Sequence, residues 1–182
     1  MKGKVYQRKC INKACKKKFI PGRPSQVVCS PICGVEYAKT VSVKNWKKEK
    51  KDRKEKLKTR TDHLNELQVL FNKFIRLRDK GKPCISCNGK LGAKYDAGHY
   101  YSVGGYPELR LHEDNCHGQC VHCNQHKHGN LIAYGENLPN RIGMEALAKL
   151  IELVGSSLKL TLPEILELKE YYKMKIKEFK ID

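Results

Sequence analysis

Acidic residues are scarce in this chain of 182 residues: Asp and Glu number 19 against 37 Lys and Arg, and the formal net charge is +18. A surplus of that size on a small protein creates a field that attracts polyanions, and nucleic acid is the natural partner. Composition alone leaves open a ribosomal or chromatin-type packing protein and a membrane-surface binder. The length allows one ordinary domain with an accessory module and excludes a large multidomain machine.

Long apolar runs are also missing. No stretch approaches the roughly 18 to 20 residues that span a bilayer, and the basic, polar N-terminus has no signal-peptide core. We therefore expect a cytoplasmic protein with no membrane partner. Thiols stay reduced there, so nine cysteines spaced in short pairs predict metal binding and not disulfides. Eight of them pair off, and the one left over, Cys116, is expected to be a buried thiol.

The first cysteine set contains two short pairs. Cys10 and Cys15 are separated by four residues, Cys29 and Cys33 by three, and a turn-rich stretch joins the pairs. A tetrahedral structural zinc takes four thiolates from two such turns. The spacing predicts a zinc knuckle over residues 1–40, with unliganded buried thiols as the alternative.

A strongly basic segment follows. Residues 44–60 contain ten Lys or Arg and three acidic residues, with no Gly or Pro. Leucines and phenylalanines spaced by three and four continue the pattern up to a Gly-Lys-Pro breaker at 81–83, which predicts one long basic, then amphipathic, helix over residues 41–82. Charge of one sign over several turns favours phosphate contacts over a merely solvated helix. The residues assigned to nucleic-acid binding are Lys47, Lys48, Lys51, Arg53, Lys54, Lys58, Arg60 and, farther along, Lys127.

The second cysteine set carries the more specific signal. Paired CxxC turns are formed by Cys84, Cys87, Cys120 and Cys123. Four sulfurs leave no coordination position for a water molecule, so this zinc is predicted to be structural and any chemistry must come from other residues. Closing the zinc site would bring three polar residues into one neighbourhood: His99, Asn115 and Asn124.

This arrangement resembles the zinc-bearing HNH (ββα-metal) nuclease motif. In that motif a β-hairpin presents a histidine base, a second polar residue pins the hairpin, and a helix supplies a ligand to a catalytic divalent metal. Almost end to end, the chain also resembles the NinG (Rap) family of phage recombination endonucleases. The matching segments are CSPICGVEYA (29–38), FNKFIRLRDKGKPCISC (71–87), DAGHYYSVGG (96–105), LRLHEDNCHGQCVHCN (109–124) and HGN (128–130).

The resemblance implies an activity and its setting. It implies a metal-dependent endonuclease that cuts branched recombination intermediates, such as Holliday junctions or displacement loops, and leaves 5′-phosphate and 3′-hydroxyl ends. It also implies a catalytic Mg²⁺ or Mn²⁺ beside two structural zinc ions, a bacterial host cytoplasm, and host or phage recombination proteins as possible partners. Symmetric cutting of two strands would favour a homodimer.

The residue chemistry agrees with this interpretation. His99 is the best general base, because an imidazole is partly neutral at cellular pH. Asn124 is the best ligand for a hard ion such as Mg²⁺, with Asp96 as a tentative second ligand. Many HNH enzymes carry Asp directly before the base, where this chain has Gly98, and on a regular strand Asp96 and His99 would face opposite sides. Asn115 is assigned to orienting the hairpin or the His99 loop, because an amide both donates and accepts.

Other side chains near the motif leave alternatives open. Four further histidines cluster around the second cysteine pair, and His126 and His117 rank next after His99. Tyr100, Tyr101 and Tyr106 could stack on unpaired bases near a branch point or pack onto the zinc module.

The C-terminal part, residues 136–182, has apolar residues at helical spacing in two stretches. Thr161, Pro163 and Glu164 are typical of an N-cap and first turn, so two C-terminal helices are predicted.

The predicted architecture is an α+β protein. It has an N-terminal zinc knuckle (1–40), a long helix (41–82), a small zinc-bound ββα-metal hairpin core (83–135) and C-terminal helices (136–182). The predicted function is an HNH-type, Mg-dependent DNA endonuclease. The alternative is a non-catalytic zinc protein that binds nucleic acid.

Overall fold

The computed structural model describes residues 6–157 and 159–179; the other positions, including the outer ends of the predicted modules 1–40 and 136–182, lie outside this description. The chain divides into two compact units, Met1–Lys58 and Thr59–Asp182. Each combines helix with a small two-stranded antiparallel sheet, which confirms the mixed α+β class. Within the described ranges, no helix is long and apolar enough to cross a membrane.

The N-terminal unit consists of a short hairpin and a long helix. β1 (Arg8–Lys9) pairs with β2 (Lys18–Phe19), and turns lead into α1 (Pro31–Lys56). α1 begins after Ser30 because the Ser30 hydroxyl accepts a hydrogen bond from the Cys33 amide at 3.3 Å, and the proline in the first turn needs no amide partner. The last cysteine of the first set is therefore fixed on the first turn of α1.

A second helix begins shortly after α1 ends. The single helix predicted over residues 41–82 is wrong, because α2 (Arg60–Arg78) is a separate helix. Thr59 causes the break: its hydroxyl accepts from the Asp62 amide at 3.2 Å, and its own amide donates to the Asp62 carboxylate at 2.9 Å. Such a capping box satisfies amides that have no partner at a helix start, so a new helix begins where the periodicity alone indicated continuation.

A hairpin follows α2 and is tied to the end of that helix. β3 (Tyr95–His99) pairs antiparallel with β4 (Cys116–Cys120), with His99 opposite Cys116. The fully buried carboxylate of Asp79 accepts from the Gly118 amide at 2.8 Å and from the Arg78 guanidinium at 2.9 Å. Arg78 also donates to the Cys116 carbonyl at 2.8 Å. These contacts fix β4 against the end of α2.

The described part of the C-terminal region contains three helices, where two were predicted. They are α3 (Leu131–Ile142), α4 (Met144–Glu152) and α5 (Leu162–Glu178). Gly143 ends α3 with φ +88°, a conformation that glycine adopts readily because it has no Cβ. The predicted start of α5 is confirmed, since the Thr161 amide and hydroxyl both hydrogen-bond to Glu164.

Two apolar cores pack against the hairpin and the segments around it. Burying each large apolar side chain contributes about 1.5–3 kcal/mol. The first core joins α2, α5 and β4 through Leu67, Phe71, Phe74, Ile75, Cys116, Ile165, Tyr172 and Ile176. The second joins α3 and α4 to the segments around the hairpin through Ile85, Leu109, Tyr134, Leu138 and Leu150.

Candidate metal centres and hairpin cleft

The first cysteine set forms a compact cluster in the N-terminal unit. The Sγ atoms of Cys10, Cys15, Cys29 and Cys33 all lie within 4.8 Å of one another, and those of Cys15 and Cys29 are 3.4 Å apart. A tetrahedral zinc with bonds of about 2.3 Å separates its sulfurs by about 3.8 Å. The hydrogen bond with Cys15 raises the pKa of the Cys29 thiol to about 12, so these sulfurs would not ionise together without a cation. The cluster fits a structural zinc ion.

The second set forms a similar cluster beside the hairpin. The Sγ atoms of Cys84, Cys87, Cys120 and Cys123 also lie within 4.8 Å of one another. Backbone amides donate to two of the sulfurs, from Cys120 to Cys84 and from Cys123 to Cys120, each at 3.4 Å, which favours thiolates. The predicted grouping of both sets is confirmed, and each can hold zinc. Cys116 belongs to neither cluster and is fully buried, as predicted.

His99 ends β3, and two neighbours hold its ring. Its Nε2 lies 3.0 Å from the Arg110 carbonyl oxygen, and its Nδ1 lies 3.5 Å from the Sγ of Cys116. Because a carbonyl can only accept, Nε2 carries the proton and Nδ1 keeps a lone pair. Burial lowers the pKa of His99, which keeps the imidazole neutral near pH 7. This tautomer and charge are those that a general base requires.

Asn115 lies underneath the loop that follows His99. It is fully buried, and its Oδ1 accepts from the Tyr101 amide at 2.8 Å. Its Nδ2 donates to the carbonyls of Tyr101, at 2.9 Å, and Leu109, at 3.0 Å. The amide therefore joins the two ends of the loop between the strands, the segment that also contains the Arg110 carbonyl bound to His99.

Asp96 and Asn124 are in direct contact. The Asn124 Nδ2 donates to the Asp96 carboxylate at 2.9 Å, and the side-chain Nε2 of Gln125 donates to the same oxygen at 2.8 Å. β3 is regular, so Asp96 lies on the strand face opposite His99, as its alternation indicated. With its Nδ2 engaged by Asp96, Asn124 keeps its Oδ1 as the atom for a metal ion. Asn124 is not on a regular α-helix, because the turn His122–His126 is π-helical.

His99 and Asn124 line one cleft of about 370 Å³. The other walls include Tyr100, Tyr106 and His128. Asp96 and Asn115 are not among the lining residues: Asp96 contacts Asn124 from the side, and Asn115 supports the loop. The cleft therefore brings together two of the predicted site residues and adds a histidine, His128, that the sequence reasoning did not rank.

The remaining histidines have different surroundings. His117 is buried and bonded to the Tyr134 hydroxyl at 3.1 Å, and burial lowers its pKa to about 3, so it is a neutral core residue. His126 is exposed and lies outside the cleft. His128 has φ +47°, in the left-handed region, and the sequence signal that could have found it is the following Gly129, which also adopts a positive φ. Neither His126 nor His117 contributes to the cleft.

The hairpin tyrosines mainly pack on one another. The Tyr101 ring lies 4.9 Å from both Tyr100 and Tyr106, and all three border the second core. Packing was one of the two predicted roles. Tyr100 and Tyr106 nevertheless present part of their surface to the cleft.

The residues assigned to DNA contacts are mostly exposed. Five of them lie on α1: Lys47, Lys48, Lys51, Arg53 and Lys54. Lys58 forms an ion pair with Glu55, and Arg60 donates to the Leu160 carbonyl at 2.7 Å. Lys127 is exposed just beyond the π-helical turn. The basic surface predicted from the sequence is thus carried chiefly by α1.

These features define a class of protein: a small, strongly basic α+β chain with two tetracysteine clusters and a histidine-lined cleft at a β-hairpin. The family model described as "Bacteriophage Lambda NinG protein" matches residues 2–182, and the chain belongs to this family. It is 37% identical over 198 residues to "Protein ninG" of Escherichia phage lambda, covering 99% of this chain and 97% of the relative.

Two further relatives carry the same name. "Protein ninG" of Salmonella phage P22 is 36% identical over 195 residues, covering 97% of this chain and 96% of the relative. "Protein ninG" of Enterobacteria phage H19B is 40% identical over 164 residues, covering 79% of this chain and 80% of the relative. No solved structure matches the chain.

Proposed function

We propose that this protein is a metal-dependent DNA endonuclease of the HNH (ββα-metal) type. Its substrates in this proposal are branched recombination intermediates in the host cytoplasm, such as Holliday junctions or displacement loops, cut to 5′-phosphate and 3′-hydroxyl ends. Two zinc ions hold the fold, and Mg²⁺ or Mn²⁺ assists the reaction.

One observation carries the proposal. His99 and Asn124 come from separate segments of the chain, and both line the same cleft of about 370 Å³. The Arg110 carbonyl fixes the proton of His99 on Nε2, so the other nitrogen is unprotonated. A neutral, oriented imidazole beside an amide oxygen in a basic protein is the combination that phosphodiester hydrolysis uses.

Asp96 and Asn124 fit a hard divalent cation. The Asn124 Nδ2 donates to the Asp96 carboxylate, which holds the two side chains together and leaves the Asn124 Oδ1 for the ion. A carboxylate and an amide oxygen suit Mg²⁺, which takes few protein ligands and completes its shell with water and substrate phosphate. When bound, the ion supplies positive charge that stabilises the developing charge on the phosphoryl and leaving oxygens. The side-chain Nε2 of Gln125, which donates to the Asp96 carboxylate at 2.8 Å, restricts the orientation of Asp96.

The chain's own residues account for the proton transfer. His99 Nδ1 exchanges its weak contact with the Cys116 Sγ, at 3.5 Å, for a water molecule in the cleft and accepts a proton from it. The hydrogen bond from Nε2–H to the Arg110 carbonyl keeps the ring oriented while it is charged. Asn115 joins the ends of the loop that carries this carbonyl. Loss of Asn115 should therefore affect the reaction through the position of His99 and not through contact with DNA.

DNA binding in this proposal depends on α1. The net charge of +18 gives the protein long-range attraction for phosphates, and exposed Lys and Arg side chains line several turns of α1.

The alternative is a non-catalytic zinc protein that binds nucleic acid. It is favoured by one observation: the residues that line the cleft include no carboxylate. Under this alternative His99 is a packed histidine, held by Phe71 at a ring distance of 6.0 Å and by the Arg110 carbonyl.

A single substitution separates the two functions. The wild-type protein and His99→Ala are incubated with linear, forked and four-way DNA, with Mg²⁺ or EDTA, and the ends produced are sequenced. His99→Ala should lose cleavage by about 10²–10⁴-fold while keeping DNA binding and zinc content. His126→Ala is the matched control, because His126 lies on the same turn as Asn124 but outside the cleft. This variant should cut DNA at the wild-type rate. Cleavage by His99→Ala at the wild-type rate, or no cleavage by the wild-type protein with any divalent metal, would overturn the proposal.

A further inference from the structure

The exposed face of α1 carries a tryptophan that the basic charge alone does not explain. Trp46 is 53% exposed, and Val43, one turn before it, is 51% exposed. Tryptophan is rarely left in water without a partner, because its ring loses hydrophobic stabilisation there. The aromatic side chain is therefore a candidate contact surface.

The surroundings of Trp46 are cationic. Lys39 precedes Trp46 by seven residues, and Lys50 and Arg53 follow it by four and seven. These spacings place all three on the same face of the helix as Trp46, and all three are exposed. The Lys50 Nζ lies 5.0 Å from the centre of the Trp46 ring. The opposite face of α1 is used inside the N-terminal unit, where Tyr37 borders a groove with the cysteine module. Trp46 takes no part in that groove.

A second copy of the chain is a poor occupant for this face. A helix pair formed along it would place Lys39, Lys50 and Arg53 next to the same cations of the other copy, and like charges in a helix seam are repulsive. A polyanion removes that repulsion, because its phosphates neutralise the cations on either side of the ring. A nucleobase is the flat, apolar group that such a polyanion offers to an aromatic side chain.

We infer that Trp46 stacks on an unpaired base of bound DNA while Lys39, Lys50 and Arg53 neutralise the flanking phosphates. This inference rests on the proposed DNA-binding function and extends it. In addition to contacting the phosphates of a duplex, α1 binds single-stranded segments of DNA. In a paired duplex the bases stack on one another, so the ring of Trp46 reaches a base face only at a gap, fork or branch.

The sequence offers a clean test, because Trp46 is the only tryptophan of the chain. Its fluorescence reports this one side chain in the intact protein. A dye-labelled single strand and a duplex of equal length are titrated in parallel, with dye anisotropy measuring binding and tryptophan emission measuring contact with the ring. The single strand should quench the emission in proportion to binding, and the duplex should bind with little quenching.

Variants separate stacking from charge. Trp46→Ala should lower the affinity for the single strand on the order of tenfold and leave duplex binding within about twofold. Trp46→Phe should restore part of the loss, and Val43→Ala, an exposed apolar residue of the same face, is the matched control that should change little. Zinc content and helical circular dichroism confirm that each variant is folded.

Three results would overturn the inference. Binding of the single strand without any change in tryptophan emission would show that Trp46 does not contact a base, while leaving DNA binding intact. Equal quenching by the duplex would remove the preference for unpaired bases. A concentration-dependent change of emission without DNA, together with a dimer mass, would assign the face to a second copy. Failure to bind any DNA would instead contradict the proposed function itself.

Discussion

Gly98 lies so close to Gln119 that a Cβ built on Gly98 would stand 2.1 Å from the Gln119 Oε1 and 3.0 Å from its Cβ. Gln119 is fully buried and fills the space beside the strand position before the proposed base. Its Nε2 donates to the Ser86 hydroxyl at 2.6 Å and to the Gly129 carbonyl at 2.5 Å, so the side chain cannot easily turn away. Gln119 thus explains why position 98 is a glycine: the space that a larger side chain would need is already filled.

Gly98→Ala should destabilise the protein by about 1–3 kcal/mol, because the new methyl group overpacks a buried site. Denaturant unfolding of Gly98→Ala, Gln119→Ala and the double variant measures the coupling between the two positions. The double variant should be more stable than the sum of the single changes predicts. If the two changes in unfolding free energy were strictly additive, the new methyl group would not be in conflict with the Gln119 side chain. Gly104→Ala, where a Cβ meets nothing within 4 Å, is the control.

The cleavage rate should depend on the neutral form of His99. Burial lowers the pKa of His99, so the neutral form persists below the ordinary histidine range near pH 6.5. Activity should therefore be flat around neutrality and fall only as the pH drops below about 6.5. The profile of kcat/KM from pH 5 to 8 measures this, with His126→Ala as the reference. An acid limb centred above pH 6.5 would contradict the assignment.

Asn115→Ala should reduce both stability and cleavage. It leaves the Tyr101 amide and the carbonyls of Tyr101 and Leu109 without their side-chain partner, and each such buried group costs about 1–3 kcal/mol. Asn115→Asp should be at least as harmful, because it keeps the acceptor but loses both donors and buries a charge. Thermal unfolding and cleavage assays on the folded fraction check this, and wild-type cleavage in either variant would show that the loop does not position His99.

Asp79 should make the fold sensitive to strong acid. Burial opposes its ionisation, but the hydrogen bond and charge of Arg78 lower its pKa to about 2. Because this folded-state pKa lies below the usual value of 3.8, the stabilisation is complete above pH 3.8 and is lost as the pH falls toward 2. Asp79→Asn should cost about 3–5 kcal/mol at neutral pH.

Urea unfolding of the wild type and Asp79→Asn between pH 2 and pH 7 tests this, and the difference between them should shrink in acid. Glu145→Gln, which removes an exposed ion pair with Lys149, should change stability by less than about 0.5 kcal/mol. If Asp79→Asn and Glu145→Gln lowered the stability equally, Asp79 would have no special role in anchoring β4.

Metal analysis should find two zinc ions per chain. Cys123→Ser should lower the content to one, because it removes a ligand of the second cluster only. Cys116→Ala should keep both ions, since this buried thiol belongs to neither cluster. Chelation should unfold the wild-type protein. A single zinc in the wild type would mean that one of the clusters is only a group of thiols.

Much of the site could be predicted from local spacing. Closely spaced cysteine pairs place their sulfurs by short turns, so both clusters could be predicted: the second from its two CxxC pairs, and the first from its slightly longer spacings. The alternation along β3 correctly placed Asp96 and His99 on opposite faces. The start of α5 at Thr161 was also visible, because a capping box is a local motif.

Other features depend on competition between local sequence signals, or on contacts between residues that are far apart in the sequence. The break at Thr59 required weighing a capping box against an unbroken helical pattern, and the local motif prevailed. His128 enters the cleft only because the chain takes a left-handed turn, which no periodicity reveals. The Arg110 carbonyl that fixes the His99 proton comes from a loop whose path is set by buried Asn115, and Gln119 fills the place beside Gly98 only after β3 and β4 have paired.

The boundary after Lys58 has a further consequence for how this chain tolerates change. The helix proposed to grip DNA lies on one side of it, and the cleft proposed to cut DNA lies on the other. Most substitutions that alter the affinity for DNA should therefore fall in the first unit, on α1, and should leave the tautomer of His99 unchanged. A collection of defective variants should therefore fall into two phenotypic classes, one that binds DNA without cutting it and one that cuts only at high protein concentration.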